Sequence, residues 1–146
     1  SDTIATIKNN LAVIFKNLRD NEKAGRYYNE ALNSFRKTHG EECSQVASVY
    51  NNLGVLFYST LEVERAQEMH EKALAIRQKL GEDQIDAADL AQTYINLGAV
   101  YKATGDFQKA EESLDRARSI RSGNTGTKPR PRRAASLLID STSAQR

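Results

Sequence analysis

Asn52-Leu53-Gly54-Val55-Leu56-Phe57 decides the reading of this chain. The same order of residue types stands 42 residues earlier as Asn10-Leu11-Ala12-Val13-Ile14-Phe15 and 44 residues later as Asn96-Leu97-Gly98-Ala99-Val100-Tyr101. Small residues follow each copy in pairs seven apart: Ala24 with Ala31, Ala66 with Ala73, Ala110 with Ala117. Self-similarity at a period of about 20 to 50 residues marks an array of stacked units, each unable to bury its apolar face alone. Such arrays present grooves rather than enclosed catalytic pockets.

Each unit reads as two amphipathic helices. In the first, Ile7, Leu11, Ile14, Phe15 and Leu18 recur at three- and four-residue spacing, which predicts one core-facing stripe, with Asp2 as N-cap. The next helix begins after Asp20, runs through Ala24, Tyr27, Tyr28, Ala31, Leu32 and Phe35, and stops at His39-Gly40. Equivalent spacing predicts helices over 44–59, 62–80, 87–104 and 106–121, with Gly81 and Gly123 as stops and Gly105-Asp106 as a tight turn. Gly54 and Gly98 fall inside helices, where glycine costs about 1 kcal/mol against alanine. Close helix approach accounts for their recurrence, and a leucine at Ala66 or Ala110 should overpack the crossing by about 1 to 3 kcal/mol.

The pattern Leu-Gly-x-x-Tyr, followed by the paired alanines, resembles the tetratricopeptide repeat, whose usual period is about 34 residues. Here the extra length lies in stretches such as Ala75 to Ala87, and with Asn51-Asn52-Leu53 it is similar to the longer, roughly 42-residue repeats of kinesin light chains. The proline that family carries in this linker is absent. The resemblance implies an all-α fold: a right-handed superhelical α-solenoid of three helix-turn-helix hairpins, at about 3–40, 44–82 and 87–122 within 1–123. A basic tail, 124–146, follows, with a short capping helix near 133–140 as one of its readings.

Composition fits a cytoplasmic helical domain: 39% of residues are hydrophobic and 27% charged, and the single cysteine, Cys43, has no internal disulfide partner. No apolar stretch approaches a membrane span, and the chain starts like a fragment trimmed at a repeat boundary. Residues 1–120 hold 15 Lys/Arg against 18 Asp/Glu, whereas 121–146 hold six against Asp140, so the net +2 comes from the tail. Nucleic acid is therefore a poor partner: the repeat body has no basic face.

First helices line the inner wall of such a stack. Equivalent offsets place Thr6, Asn9, Asn10, Val13, Lys16 and Asn17 there, then Ser48, Asn51, Asn52, Val55, Tyr58 and Ser59, then Gln92, Ile95, Asn96, Ala99, Lys102 and Ala103. An asparagine amide both donates and accepts, so Asn10, Asn52 and Asn96 can hydrogen-bond an extended peptide backbone, or can simply be tolerated surface residues. Val13, Val55 and Ile95 would read side chains, and Lys16 and Lys102 would favour acidic groups. The kinesin-light-chain resemblance implies the same use, short acidic peptides held by the matching asparagines. The chaperone-binding subtype needs a lysine where Asn9 stands and an asparagine where Val13 stands, so that activity is not implied. The leading expectation is a protein-binding adaptor; the alternative is a structural module that self-associates or spaces other domains through its end faces.

Nothing here expects an enzyme, a cofactor or a metal. His70 takes the place of Tyr28 and Leu114, an inter-helix packing position, rather than that of a general base. His39, Glu41, Glu42 and Cys43 form one short cluster without a second ligand pair, and read as solvated linker, with Cys43 a bystander. The tail admits three readings: a capping helix at 133–140, a regulatory segment in which Arg133-Ala134-Ala135-Ser136 makes Ser136 a phosphosite, or a disordered end.

Overall fold

The computed structural model describes residues 1–81 and 86–123, which form six helices and no strand. They are α1 (Asp2–Asn17), α2 (Asn21–His39), α3 (Ser44–Ser59), α4 (Val63–Lys79), α5 (Ala87–Thr104) and α6 (Phe107–Arg121). Consecutive pairs make antiparallel hairpins, and the second helix of each hairpin packs on the first helix of the next, giving an all-α solenoid. The capping helix, the basic tail and Ser136 lie outside the described residues.

The turn inside each hairpin is one structure repeated three times. The amides of Asp20, Glu62 and Asp106 reach back to the carbonyls of Phe15, Phe57 and Tyr101 at 2.9, 2.8 and 2.8 Å. Each turn needs one residue in the left-handed region: Arg19 (φ 66°), Leu61 (φ 66°) and Gly105 (φ 86°). The carboxylates of Asp20 and Asp106 cap the following helices by accepting from Lys23 N and Lys109 N, both at 3.1 Å, and Glu62 does not. A cation lies over the recurring aromatic in all three hairpins: Lys23 on Phe15, Arg65 on Phe57, Lys109 on Tyr101.

Small residues let the helices of a hairpin approach closely. A methyl added to Gly54 would lie 2.5 Å from His70 Cε1, and one added to Gly98 would lie 2.8 Å from Leu114 Cδ2. Ala24, Ala66 and Ala110, on the opposite helices, are buried. In the first hairpin Ala12 carries the methyl and is fully buried. Tyr28, Leu32 and Phe35 of α2 share one core with Val46, Val49, Leu53 and Leu56 of α3 and Ile76 of α4. The third hairpin has two smaller clusters, both reached by Leu74 of α4.

Four expectations change. The stripe Ile7, Leu11, Ile14, Phe15, Leu18 is not one core face: Ile7, Ile14 and Leu18 are exposed and α1 buries Ala5 and Ala12, because among the described residues no helix packs on that side of α1 as the hairpins before them do on α3 and α5. Ser1, not Asp2, caps α1, its hydroxyl accepting from Ile4 N. Helix α4 ends because Leu80 turns extended (ψ 151°), without a left-handed Gly81. Cys43 is no bystander: its Sγ caps α3, accepting from Val46 N at 3.5 Å.

Candidate functional site

The first helices α1, α3 and α5 lie side by side, and their asparagines join them. Asn52 donates to Asn9 Oδ1 at 3.1 Å, linking α3 to α1, and one repeat on Asn96 donates to Asn51 Oδ1 at 3.2 Å, linking α5 to α3. The same Asn51 oxygen meets His70 Nδ1 at 2.7 Å, and Gln92 donates to Asn96 Oδ1 at 3.0 Å. Part of the amide row thus holds the array together, while Asn9 Nδ2, Asn52 Oδ1 and Asn51 Nδ2 are not consumed by these pairings.

His70 is buried and its pKa falls to about 4, chiefly from loss of hydration and then from the nearby Arg77 cation. The ring is therefore neutral at pH 7, so the hydrogen on Nδ1 donates to Asn51.

The remaining expected positions divide by burial. Asn10, Asn17, Tyr58, Ala99 and Lys102 are exposed, and Asn9, Lys16, Asn51, Asn52, Val55 and Asn96 are half-buried. Val13 and Ile95 pack partly against core clusters, leaving less of each to touch a ligand than an exposed position would. Among the described residues no first helix stands before α1 for Asn10 to bond, as α1 does for Asn52 and α3 for Asn96. Lys16 and Lys102 sit in the last turns of α1 and α5, where a cation also offsets the helix dipole.

Towards the other ends of the first helices lies a cavity of about 310 Å³, whose lining includes Thr6, Asn9, Ser48, Arg77, Asp86 and Asp89. Sequence reading missed the last three. Arg77 is 5% exposed and extends from α4 between the first helices: Nη1 donates to Thr93 Oγ1 and to the Asp89 carbonyl (3.4 Å), and Nη2 to Ser48 Oγ (3.3 Å). Burial lowers its pKa, opposed by Asp89 and Asp86. The available signal was a charged residue at the place of the buried Phe35, on the apolar register of its helix.

The His39 to Cys43 cluster disperses. His39 meets Asp2 (2.7 Å), Glu42 accepts from Lys79 (2.6 Å), and Glu41 accepts from Tyr50 OH (2.6 Å) and Arg36 (2.8 Å), hydrogen bonds that hold its carboxyl below the usual range. Among the described residues no group of three or more His, Cys, Asp or Glu side chains is placed to hold a metal ion. No helix among the described residues is long and apolar enough to cross a membrane.

A family model described as "Tetratricopeptide repeat" matches residues 3–79, and a second of the same description matches 90–122. Among solved structures, the chain is similar to BtubC (BKLC) from P. vanneervenii, at 65% identity and a TM-score of 0.82 over 97% of this chain and 56% of that one. It thus spans little more than half of that chain's length. The N-terminal domain of stress-induced protein-1 (STI-1) from C. elegans shares the fold at 18% identity and a TM-score of 0.64, over 82% of this chain and 85% of that one. No curated protein matches.

Proposed function

The chain belongs to the tetratricopeptide repeat family, whose members generally mediate protein–protein interactions, and on that premise we propose that it is a non-catalytic adaptor taking a short extended peptide along α1, α3 and α5. The observation that carries the reading is the amide row. Successive first helices are tied by single asparagine bonds, Asn9 with Asn52 and Asn51 with Asn96, that leave further donor and acceptor capacity along the same line. A peptide backbone needs that kind of sequence-tolerant hydrogen bonding.

Charge orients the ligand. Lys16 and Lys102 stand at the C-terminal ends of the first helices and Asp86 and Asp89 at the other, so acidic side chains belong at the lysine end, with apolar ones against Val55. The longer repeat period adds the kinesin-light-chain resemblance, which favours the same ligand class. A cytoplasmic location follows from that reading.

Fluorescence polarisation with acidic-apolar peptides chosen from an array tests it. Micromolar binding, about −8 kcal/mol, is expected of so short a wall. Asn52→Ala with Lys102→Ala should weaken it at least about tenfold. Asn52→Ala removes one interhelical hydrogen bond, so the melt of this variant is read beside its affinity. Undiminished binding by the folded double variant, or no preference for acidic over basic peptides, overturns the proposal.

A further inference from the structure

The two junctions between hairpins differ at one place. Where α4 meets α5, Tyr101 OH donates to Glu71 Oε2 at 2.6 Å and Gln67 Nε2 donates to the same oxygen at 3.2 Å, so side chains bridge the groove. Where α2 meets α3, the register of the repeat puts Gly25, Asn29 and Phe57 in the places of Gln67, Glu71 and Tyr101. Gly25 has no side chain, Asn29 is a methylene shorter than a glutamate, and Phe57 has no hydroxyl. The bridge is lost, and a cavity of about 310 Å³ stands there, its lining including Gly25, Arg26, Asn29, Leu53, Leu56 and Phe57. By helical spacing its floor lies on the side of α3 turned away from Asn51, Asn52 and Val55, so the cavity and the amide row share no residue.

The chemistry left in the cavity is one-sided. Leu53 and Leu56 make an apolar floor with Phe57, over whose ring Arg65 lies. Glu62, at the rim, is already spent on Thr60 (2.7 Å) and Arg65 (3.0 Å). Arg26 and Asn29 are exposed and, among the described residues, make no ion pair or side-chain hydrogen bond. They stand in the places of Glu68 and Glu71, so charge as well as volume changes between the junctions. The α4–α5 groove holds a carboxylate between two donors. The α2–α3 groove keeps donors and space, and the counterpart of that carboxylate is missing. Glu22, one turn before Arg26 and also at the rim, opposes an anion.

We propose that this cavity is a docking site for a glutamate side chain of a partner protein. The aliphatic stem lies on Leu53, Leu56 and Phe57, in the space Gln67 fills one repeat on, and the carboxylate accepts from Arg26 and Asn29. A volume at the low end of ligand sites suits one side chain rather than a helix. The proposal does not rest on the peptide reading of the amide row, and failure of that reading leaves it standing.

Two-dimensional amide NMR of the chain, titrated with the blocked tripeptide acetyl-Ala-Glu-Ala-amide, tests it. The signals of Gly25 and Asn29 should move, with a dissociation constant of about 1 to 10 mM. Aspartate or glutamine in place of the glutamate should weaken binding at least about threefold, and lysine should abolish it. Arg26→Ala should weaken it at least about fivefold, and Glu22→Gln should tighten it. Gly25→Gln with Asn29→Glu and Phe57→Tyr rebuilds the α4–α5 bridge, and should remove the shifts while raising the urea midpoint. A Cβ on Gly25 meets only Leu56 Cδ2, at 3.8 Å, so the fold should survive. Should the triple variant unfold, Gly25→Gln alone replaces it. Gly25 and Asn29 signals that stay fixed up to about 50 mM peptide overturn the proposal, and so do shifts confined to the amide row. Equal binding of the lysine peptide, or binding by the folded closed variant, overturns it too.

Discussion

Replacing Gly54 with alanine should destabilise the chain, although alanine is the better helix former. A Cβ at Gly54 would lie 2.5, 2.6 and 2.7 Å from three atoms of the His70 ring, far inside ordinary contact. The ring has nowhere to go: it is 1% exposed, and Asn51 Oδ1 holds its Nδ1 at 2.7 Å. Overpacking a full core costs about 1 to 3 kcal/mol, and displacing a whole hydrogen-bonded ring belongs at the upper end. Relief of the helical glycine returns about 1 kcal/mol, which leaves a net loss of about 2 kcal/mol. His70→Ala removes the obstacle but not the glycine. In that background Gly54→Ala should therefore stabilise by about 1 kcal/mol, a coupling of about 3 kcal/mol between the two sites. Urea unfolding at pH 7, followed by circular dichroism for the four proteins of the cycle, measures this. If Gly54→Ala has the same sign in both backgrounds, the close approach of α3 and α4 is not what requires the glycine.

Leu61→Gly should stabilise by about 0.5 to 1 kcal/mol, because a left-handed leucine costs roughly 1 to 2 kcal/mol and glycine returns part of that as unfolded-state entropy; Leu61 is 85% exposed, so no packing is lost, and a midpoint that does not rise refutes the estimate. His70 makes stability fall on acidification. Its folded pKa of about 4 lies below the ordinary 6.5, so the unfolded chain binds the proton first, and the contribution declines as pH drops from about 6.5 towards 4. Between pH 7 and 5 this amounts to about 2 kcal/mol, and a His70→Gln variant should lose less stability over that interval than the wild type in parallel urea titrations.

Much of the fold was legible because one pattern recurred three times. Asn52-Leu53-Gly54 and its copies set the register, and helix ends written as Asp20, Gly40, Gly105 and Asp106 lie where local chemistry puts them. Periodicity shows which residues share a face of a helix, not what lies against that face. The apolar stripe of α1 therefore read as core, although Ile7, Ile14 and Leu18 are exposed, with no helix of the described residues packed on them. The asparagines were found by position, but their mutual bonding was not, since Asn52 to Asn9 and Asn96 to Asn51 join residues 43 and 45 apart. Arg77 escaped because a charged residue near a helix end reads as solvated, and only three-dimensional packing shows Ser48 and Thr93 waiting for it.

That guanidinium also fixes how the second and third hairpins sit on each other. An interface of leucines tolerates sliding, since one aliphatic contact replaces another at little loss. A buried cation whose fork reaches Ser48 on one neighbouring helix and Thr93 on the other finds both only at a single offset. A slip of one helical turn, about 5.4 Å, would strand it without acceptors. Arg77 therefore works as a dowel, and the spacing from α3 to α5 behaves as a fixed ruler against which a bound segment would be measured.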